Sequence, residues 1–222
     1  MFRLIPLVFA LSSVAPTGAA IAATQTFGLA GDRAALAARA PADWVRLAQA
    51  LERRADWPGL LALGRDWIRV EANNPLAWFV QGRALGELGR FDEAIAAYER
   101  NLRLAPRDVW AHNNLGNAWR DRGNPREAML AYRAAAEIDP DYFQAWHNLG
   151  LTFYRVHGQA GVMRAIDRLH ATYPALAEVW RTLALEYAIT RDPRLAREAV
   201  RVLRGLGVAE RARMFDILFA GG

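Results

Sequence analysis

The chain has 222 residues, of which 53% are hydrophobic and 23% are charged, with 28 basic residues, 23 acidic residues and no cysteine. These fractions are typical of a folded globular protein, so disorder of the whole chain is excluded. The absence of cysteine excludes disulfides, thiol catalysis, cysteine-ligated metals and a lipid attached to an N-terminal cysteine. All basic residues are arginine, and the net charge of +5 is spread along the chain, so composition does not indicate a nucleic-acid partner.

The first 22 residues have the pattern of a cleaved export signal. Arg3 gives a positive start, residues 4–15 form a short apolar run, and Ala20 and Ala22 place small residues before a cleavage position. The run is shorter than the roughly 20 residues that a membrane-spanning helix needs. We therefore expect a mature protein that is periplasmic or secreted, without stable membrane insertion and without a nucleic-acid partner.

From residue 41 onward the sequence repeats with a period of 34 residues. The columns are Pro106, Pro140 and Pro174; Trp44, Trp78, His112, Trp146 and Trp180; Ala48, Gly82, Gly116, Gly150 and Ala184; and Leu51, Leu85, Trp119, Phe153 and Tyr187. Self-similarity at a period of this size indicates a solenoid of stacked supersecondary units.

Each unit is predicted to contain two helices. In the first helix the three recurring columns fall at i, i+4 and i+7, which makes one apolar stripe. A helix breaker follows, at Asp56, Gly89, Gly123, Gly158 or Asp192. Pro58, Pro125 and Pro193 then fit the first turn of a second helix, where a missing N–H costs little. We expect the small residues to lie where two helix axes approach to about 8–10 Å, and the closing prolines to end the second helices.

This motif resembles the tetratricopeptide repeat (TPR). Trp146-x-x-Leu149-Gly150-x-x-Phe153, Ala94-x-x-x-Tyr98 and Pro106 match the W-x-x-L-G-x-x-Y, A-x-x-x-F and P pattern of that family. The resemblance implies an all-α fold, a right-handed superhelix (solenoid) of about five helical hairpins with a C-terminal capping helix. The expected segments are a signal peptide (1–22), an N-terminal linker or cap (23–40), a TPR domain (41–207) and the capping helix (208–222). The units of the TPR domain are 41–74, which is degenerate, 75–108, 109–142, 143–176 and 177–207.

The C-terminal segment allows two interpretations. After Gly205 and Gly207, residues 208–219 form one amphipathic pattern with several large apolar side chains. The favoured interpretation is a cap packed on residues 180–200. The alternative is a tip that docks on a partner or on a second copy of the chain, which would make the protein a self-assembling structural TPR protein.

The resemblance also implies a ligand site on the concave surface, which positions 2, 5, 6, 9, 12 and 13 of each first helix would line. The residues predicted to bind a protein or peptide there are Phe79, Arg83, Trp110, Asn113, Asn117, Arg120, Gln144, His147, Asn148, Tyr154, Arg155 and Arg181. Asparagine can pair with both groups of a peptide backbone, aromatic residues and arginine are common hot spots, and arginine can pair bidentately with a carboxylate. The expected function is an exported scaffold that assists assembly of bacterial envelope machinery.

No motif points to catalysis. The four histidines form no H-E-x-x-H pair, and no nucleophile or phosphate-loop signature is present. We therefore expect no enzyme activity, no cofactor and no metal. A groove-based enzyme or small-ligand receptor is the less favoured alternative and would need a pocket near His147, Asp121 and Tyr154. A clamp for a C-terminal carboxylate is excluded because the cations of that motif are missing and Glu178 would repel the ligand.

Overall fold

The computed structural model of the chain describes residues 40–190 and 192–219, and no strand occurs in this part. Its helices are α1 (Pro41–Arg53), α2 (Trp57–Val70), α3 (Pro75–Glu87), α4 (Phe91–Leu104), α5 (Val109–Arg122), α6 (Pro125–Ile138), α7 (Phe143–His170), α8 (Pro174–Arg181), α9 (Tyr187–Thr190), α10 (Pro193–Arg204) and α11 (Val208–Phe219). A π-helical turn at Thr182–Glu186 joins α8 to α9. The predicted signal peptide, and the predicted linker up to residue 39, lie outside the described residues.

Several helices begin at a side-chain cap. The carboxylate of Asp56 accepts a hydrogen bond from the Gly59 N–H at 2.9 Å, and the amide oxygen of Asn74 accepts one from the Leu76 N–H at 3.0 Å. Asp108 caps α5 in the same way. These oxygens satisfy backbone donors that the first turn of a helix leaves without a partner. The loop residues therefore fix where each helix starts.

The helices stack as repeated hairpins. Contacts join α1 to α2, α3 to α4 and α5 to α6 within hairpins, and α2 to α3 and α4 to α5 between them. The first helices also contact one another, α3 with α5 and α5 with α7. This is the predicted right-handed TPR-type superhelix, so the fold class is confirmed. The first helices line its concave side.

The predicted close approach of helix axes is found within two hairpins. A Cβ atom built on Gly82 would lie 2.9 Å from the ring of Tyr98, and one on Gly116 would lie 2.5 Å from the ring of Tyr132. Real Cβ atoms do not approach a ring so closely, because close-packed interiors leave no room for overlap. The small column of the first helix therefore makes space for the tyrosine of the second.

The column of Trp78, His112 and Trp146 has a hydrogen-bonding role as well as a packing role. The indole nitrogens of Trp78 and Trp146 donate to the carbonyl oxygens of Ala72 and Pro140, at 2.7 and 3.0 Å. The Nε2 of His112 lies 3.0 Å from the carbonyl oxygen of Pro106. In all three cases the carbonyl is six residues earlier, so a histidine with its proton on Nε2 replaces the tryptophan without losing the bond.

The degenerate first unit is repaired by a neighbouring tryptophan. A Cβ atom on Gly64 would lie 3.0 Å from the backbone nitrogen of Gln81, so α3 approaches too closely for the aromatic residue expected there. Trp67 takes over, since its ring stacks on Trp44 with centroids 5.6 Å apart and an interplanar angle of 9°. Both tryptophans are fully buried.

The fourth unit departs from the simple hairpin. Gly158 has φ 64° and ψ −179°, which interrupts the helical backbone of α7 without an intervening loop. This conformation is accessible to glycine and strained for other residues. Gly158 therefore does act as the breaker predicted from the sequence, and it splits α7 into a first part and a second part.

Pro174 does not have the role predicted for it. Second helices α4 and α6 end before Pro106 and Pro140, as expected, but α7 already ends at His170 and Pro174 begins α8. Proline suits the first turn of a helix, where its N–H would have no partner. The next first helix therefore starts three residues before the predicted unit boundary at 177.

The C-terminal helix is placed differently from our expectation. Instead of packing on residues 180–200, α11 contacts α6 and α7. The ring of Phe215 stacks on Trp146 with centroids 5.4 Å apart, and the Arg133 guanidinium lies 5.0 Å from the centre of the Phe215 ring. Residue-to-residue contacts along α8 and the π-helical turn are instead supplied by α10, so the stripe that α11 was expected to cover is covered by its neighbour.

Two clusters of buried side chains form the core. The first lies within α1–α5 and the second within α6–α11, and the partly buried Trp119 packs against both. No helix in the described ranges is long and apolar enough to cross a membrane.

Candidate functional site: the concave groove

The candidate site is the concave face of the first helices, which we call the groove. The predicted residues are distributed over α3 (Phe79, Arg83), α5 (Trp110, Asn113, Asn117, Arg120), α7 (Gln144, His147, Asn148, Tyr154, Arg155) and α8 (Arg181). Because α3, α5 and α7 contact one another, residues at equivalent positions of successive units become neighbours.

Phe79 is not the exposed anchor that the sequence suggested. Its side chain is 5% exposed and its ring meets that of Tyr98 edge-on, with centroids 5.9 Å apart. Ala77 and Ala84 on the same helix are also fully buried. A first helix packs against the second helices of two units, so its buried arc is wider than the single stripe that we assumed.

Three asparagines connect two neighbouring first helices. The Nδ2 of Asn148 donates to the Oδ1 of Asn113 at 2.9 Å and to the Oδ1 of Asn117 at 3.3 Å. Asn113 and Asn148 are only 2% and 5% exposed. A buried amide that is hydrogen-bonded in this way is held in one orientation, because breaking the bond would leave an unsatisfied polar group. The floor of the groove is therefore fixed before any ligand binds.

Asn117 is the centre of this network. Its Oδ1 also accepts from the Tyr132 hydroxyl at 2.8 Å and from the Arg120 guanidinium at 3.1 Å. Burial raises the pKa of the Tyr132 hydroxyl, against the opposing effect of Arg120, so this tyrosine stays protonated and remains a donor. The sequence analysis assigned Tyr132 only to helix packing and missed its part in the groove.

Arg120 is already paired within its own helix. Its guanidinium makes two hydrogen bonds to the carboxylate of Asp121, at 2.8 and 3.0 Å. It therefore does not offer a free fork to a ligand carboxylate. The same pairing occupies Asp121, which the alternative catalytic interpretation required as part of an acid–base pair with His147.

Arg83 is likewise neutralised, at the N-terminal end of the groove. It lies 2.7 Å from the Glu87 carboxylate on its own helix and 3.5 Å from that of Glu52 on α1, and its guanidinium is 5.5 Å from the centre of the Trp57 ring. Burial raises the pKa of Glu52, and the Arg83 charge opposes that effect. This cluster holds α1 against α3 and carries more acid than base.

Among the remaining predicted residues, Arg155 and the aromatic side chains are the accessible ones. Arg181 is 3.4 Å from the Glu178 carboxylate. Arg155 is exposed and forms no ion pair with any described residue. Trp110 and Tyr154 are partly buried against the core and partly open, as are Gln144 and His147, whose ring lies 5.9 Å from that of Phe143.

The groove contains no arrangement that suggests a metal. Within the described ranges no group of three histidine or acidic residues could hold a metal ion. What the groove does provide is a fixed row of amides, two internally neutralised arginines and open aromatic faces. These groups suit recognition through hydrogen bonds and apolar contact.

Known proteins share the repeat. Residues 79–155 match the family described as Tetratricopeptide repeat. The chain is similar to Protein O-mannosyl-transferase TMTC3 of Mus musculus, with 29% identity over 90 residues that cover 40% of this chain and 10% of the relative. It is similar to Tetratricopeptide repeat-containing protein trd-1 of Caenorhabditis elegans, with 35% identity over 82 residues that cover 35% of this chain and 10% of the relative. The chain thus spans about a tenth of the length of these curated relatives.

Two solved structures show the same fold over most of the chain. A crystal structure of MamA protein aligns with a TM-score of 0.50 at 18% identity and covers 78% of this chain and 91% of its own. A MamA RS-1 double mutant aligns with a TM-score of 0.50 at 24% identity and covers 84% of this chain and 98% of its own. Residues 79–155 therefore carry the tetratricopeptide repeat, within a chain whose fold is a TPR-type superhelix.

Proposed function

We propose that this protein is an exported, non-catalytic scaffold that holds an extended peptide segment of another protein in the groove. The repeat and the fold support a protein-interaction scaffold. The site, the ligand and the cellular location are our proposal, which rests on the geometry of the groove and on the signal-like pattern of residues 1–22.

The observation that carries the proposal is the hydrogen-bonding capacity left over in the asparagine network. The Nδ2 of Asn148 donates to both Asn113 and Asn117, while the Oδ1 of Asn148 and the Nδ2 of Asn113 bond to no described residue. One acceptor and one donor on adjacent helices match the N–H and C=O of an extended backbone whatever its side chains. Because the amides are already oriented, binding orders few additional groups.

Apolar contact would come from the open faces beside this floor. Trp110 on α5 and Tyr154 on α7 are the large aromatic residues available, and Arg155 is the cation without an ion pair in the described part of the chain. Rigid aromatic side chains and arginine contribute most to interface affinity. We infer a ligand with apolar side chains at its centre and a carboxylate near Arg155.

The binding proposal is tested with peptides selected on the full chain from a random library displayed on phage. Synthetic versions are then titrated against wild type and a groove variant, Trp110→Ala with Tyr154→Ala and Arg155→Gln. A matched control changes two exposed apolar residues and one arginine on second helices, Leu130→Ala, Val202→Ala and Arg103→Gln. We expect affinity about 30-fold weaker or more in the groove variant and unchanged in the control. Equal affinity for all three proteins would contradict the groove as the site.

The location is proposed from the export signal pattern, with a role in assembling bacterial envelope machinery. Expression of the full chain in a bacterium, followed by periplasmic fractionation and intact-mass measurement, tests it. We expect a mature protein that begins at Ala23 in the periplasmic fraction. A full-length mass in the cytoplasmic fraction would remove the export and envelope parts of the proposal and leave the groove unaffected.

Self-assembly through the C-terminal tip gains no support from the placement of α11. Met214, Phe215 and Leu218, which were to form the self-associating tip, are buried within the same chain. Light scattering over a concentration series checks this alternative. Growth in mass that truncation at Gly207 abolishes would restore it.

A further inference from the structure

A second charged surface lies outside the groove, where α7 breaks at Gly158. We call it the basic patch, and it consists of His157, Arg164 and Arg168 on α7 and Arg126 in the first turn of α6. All four side chains are exposed. None belongs to the groove residues predicted from the sequence.

The patch is a spatial cluster. A Cβ atom on Gly161 would lie 3.7 Å from a terminal nitrogen of Arg164 and would overlap the Cβ atom of His157. The His157 ring is also held in place by Phe153, since their centroids are 4.3 Å apart. Glycine at 161 thus lets the arginine return over the helix break toward the imidazole.

The field at His157 is positive. The pKa of His157 is lowered, first by partial burial and then by the charges of Arg126, Arg164 and Arg168. These three guanidinium groups therefore lie near one point although they come from two helices. The histidine is mostly neutral at pH 7, so it adds an aromatic and hydrogen-bonding group rather than another charge.

The arginines of the patch differ from those elsewhere in the chain because they are not paired. Arg83, Arg120 and Arg133 each lie within 3 Å of a carboxylate. Arg126, Arg164 and Arg168 form no ion pair within the described ranges, although Glu127 and Asp167 are their immediate neighbours in the sequence. Three like charges that converge without a counter-charge repel one another, and an external anion would relieve that repulsion.

We propose that the basic patch is a docking surface for an acidic segment of a partner protein. A guanidinium group presents a planar fork that pairs bidentately with a carboxylate, and this chain uses arginine at every basic position. An anionic membrane is the weaker fit. Stable membrane attachment needs a second anchor besides charge, and the exposed apolar side chain beside the patch is a single valine, Val156, which is 41% exposed.

The test uses a fluorescein-labelled peptide of alternating Glu and Gly, with a Gln and Gly peptide of equal length as the neutral probe. Binding to the full chain is measured by fluorescence polarisation at low salt. The patch variant is Arg126→Gln with Arg164→Gln and Arg168→Gln. The control variant, Arg65→Gln with Arg103→Gln and Arg107→Gln, removes the same charge from exposed arginines that form no ion pair with described residues.

We expect the patch variant to bind the acidic peptide about tenfold more weakly than wild type, and the control variant to lose less than half as much on a logarithmic scale. Added salt should weaken wild-type binding, because it screens exposed charges over about 10 Å at 0.1 M. Thermal melting of each variant verifies that it folds.

Three results would overturn the proposal. One is no binding of the acidic peptide by wild type, and another is equal loss in the patch and control variants. The third comes from vesicles of phosphatidylcholine with and without phosphatidylglycerol. Patch-dependent binding to the anionic vesicles, without binding to the acidic peptide, would assign the patch to a membrane. None of these results bears on the groove, which the patch variant leaves intact.

Discussion

The two cores of this protein are built on different rules. In the core within α1–α5, each helix contacts its neighbours along the chain and the equivalent helix of the next unit. In the core within α6–α11, the last helix returns across the stack, and Phe215 reaches Trp146 over a separation of 69 residues (215 minus 146). The period of 34 residues therefore dictates the contacts of the first core, whereas the second depends on a single long-range docking event.

This difference separates two ways of ending a solenoid. A terminal unit exposes the stripe that a further unit would cover, and it needs a cap. Here α10 covers α8 and the π-helical turn, which leaves α11 free to close the outer side of α6 and α7. The basic patch lies on this less regular half, and the asparagine network lies where α5 of the first half meets α7.

Removing Phe215 should have the largest effect and would test the long-range contact directly. The side chain is fully buried, so Phe215→Ala is expected to lower the free energy of unfolding by about 3–5 kcal/mol. The control is Leu130→Ala, because Leu130 is 57% exposed and its loss should cost less than about 0.5 kcal/mol. Urea denaturation measures both changes. Similar small losses would mean that α11 does not dock.

Gly116→Ala tests the close approach within the regular half. The new Cβ atom would lie 2.5 Å from the Tyr132 ring, whose hydroxyl is held by Asn117. We expect a loss of about 1–3 kcal/mol from overpacking. Gly86→Ala is the matched control, since no atom lies within 4 Å of its Cβ position, and it should stabilise the helix by up to about 1 kcal/mol. Thermal unfolding gives the two signs, and a neutral Gly116→Ala would refute the packing account.

Asn117→Ala tests whether the groove floor is held by hydrogen bonds. The substitution leaves Asn148, Tyr132 and Arg120 without a common acceptor, so we expect a loss of about 1–2 kcal/mol and weaker binding of groove-selected peptides. Asn114→Ala removes a single long contact of 3.4 Å and serves as the comparison. Equal stability and equal peptide affinity for the two variants would show that the network is incidental.

Glu52→Gln should give the smallest effect, which depends on pH. Burial raises the pKa of Glu52 above its model value of 4.5, so the folded protein binds a proton there more tightly than the unfolded chain. Wild type therefore loses stability as pH rises from the unfolded pKa through the folded pKa, and the variant lacks this loss. We expect the unfolding free energy of the variant, relative to wild type, to increase between pH 4 and pH 7. A difference that is constant or that decreases would contradict the direction of the shift.

The sequence predicted those parts of the molecule that local rules and the repeat determine. Proline and Asp56-type caps set helix starts, and the small column at Gly82 and Gly116 predicted where helices approach. His112 was correctly placed in the tryptophan column, but its bond to the Pro106 carbonyl became visible only in the structure. Periodicity specifies which residues recur, and it does not specify which neighbouring group accepts a hydrogen bond.

Other features could not be predicted because they depend on contacts between distant units. Phe79 was expected to be open, since a single apolar stripe was assumed, yet packing on two sides buries it. The seat of Phe215 on Trp146 and the ion pairs of Arg83 with Glu52 and Glu87 join units that the repeat treats as equivalent. Such pairings are set by tertiary packing, which overrides a local pattern.

The central claim is that a partner lies in the groove, and site-specific photocrosslinking in the cells that produce the protein tests it most directly. A photoreactive amino acid replaces Trp110 in the groove or, in a separate protein, the exposed Leu130 on α6. We predict that illumination gives a defined protein adduct from position 110 and none from position 130. An adduct from position 130 with none from position 110 would contradict the account and move the binding surface to the second helices.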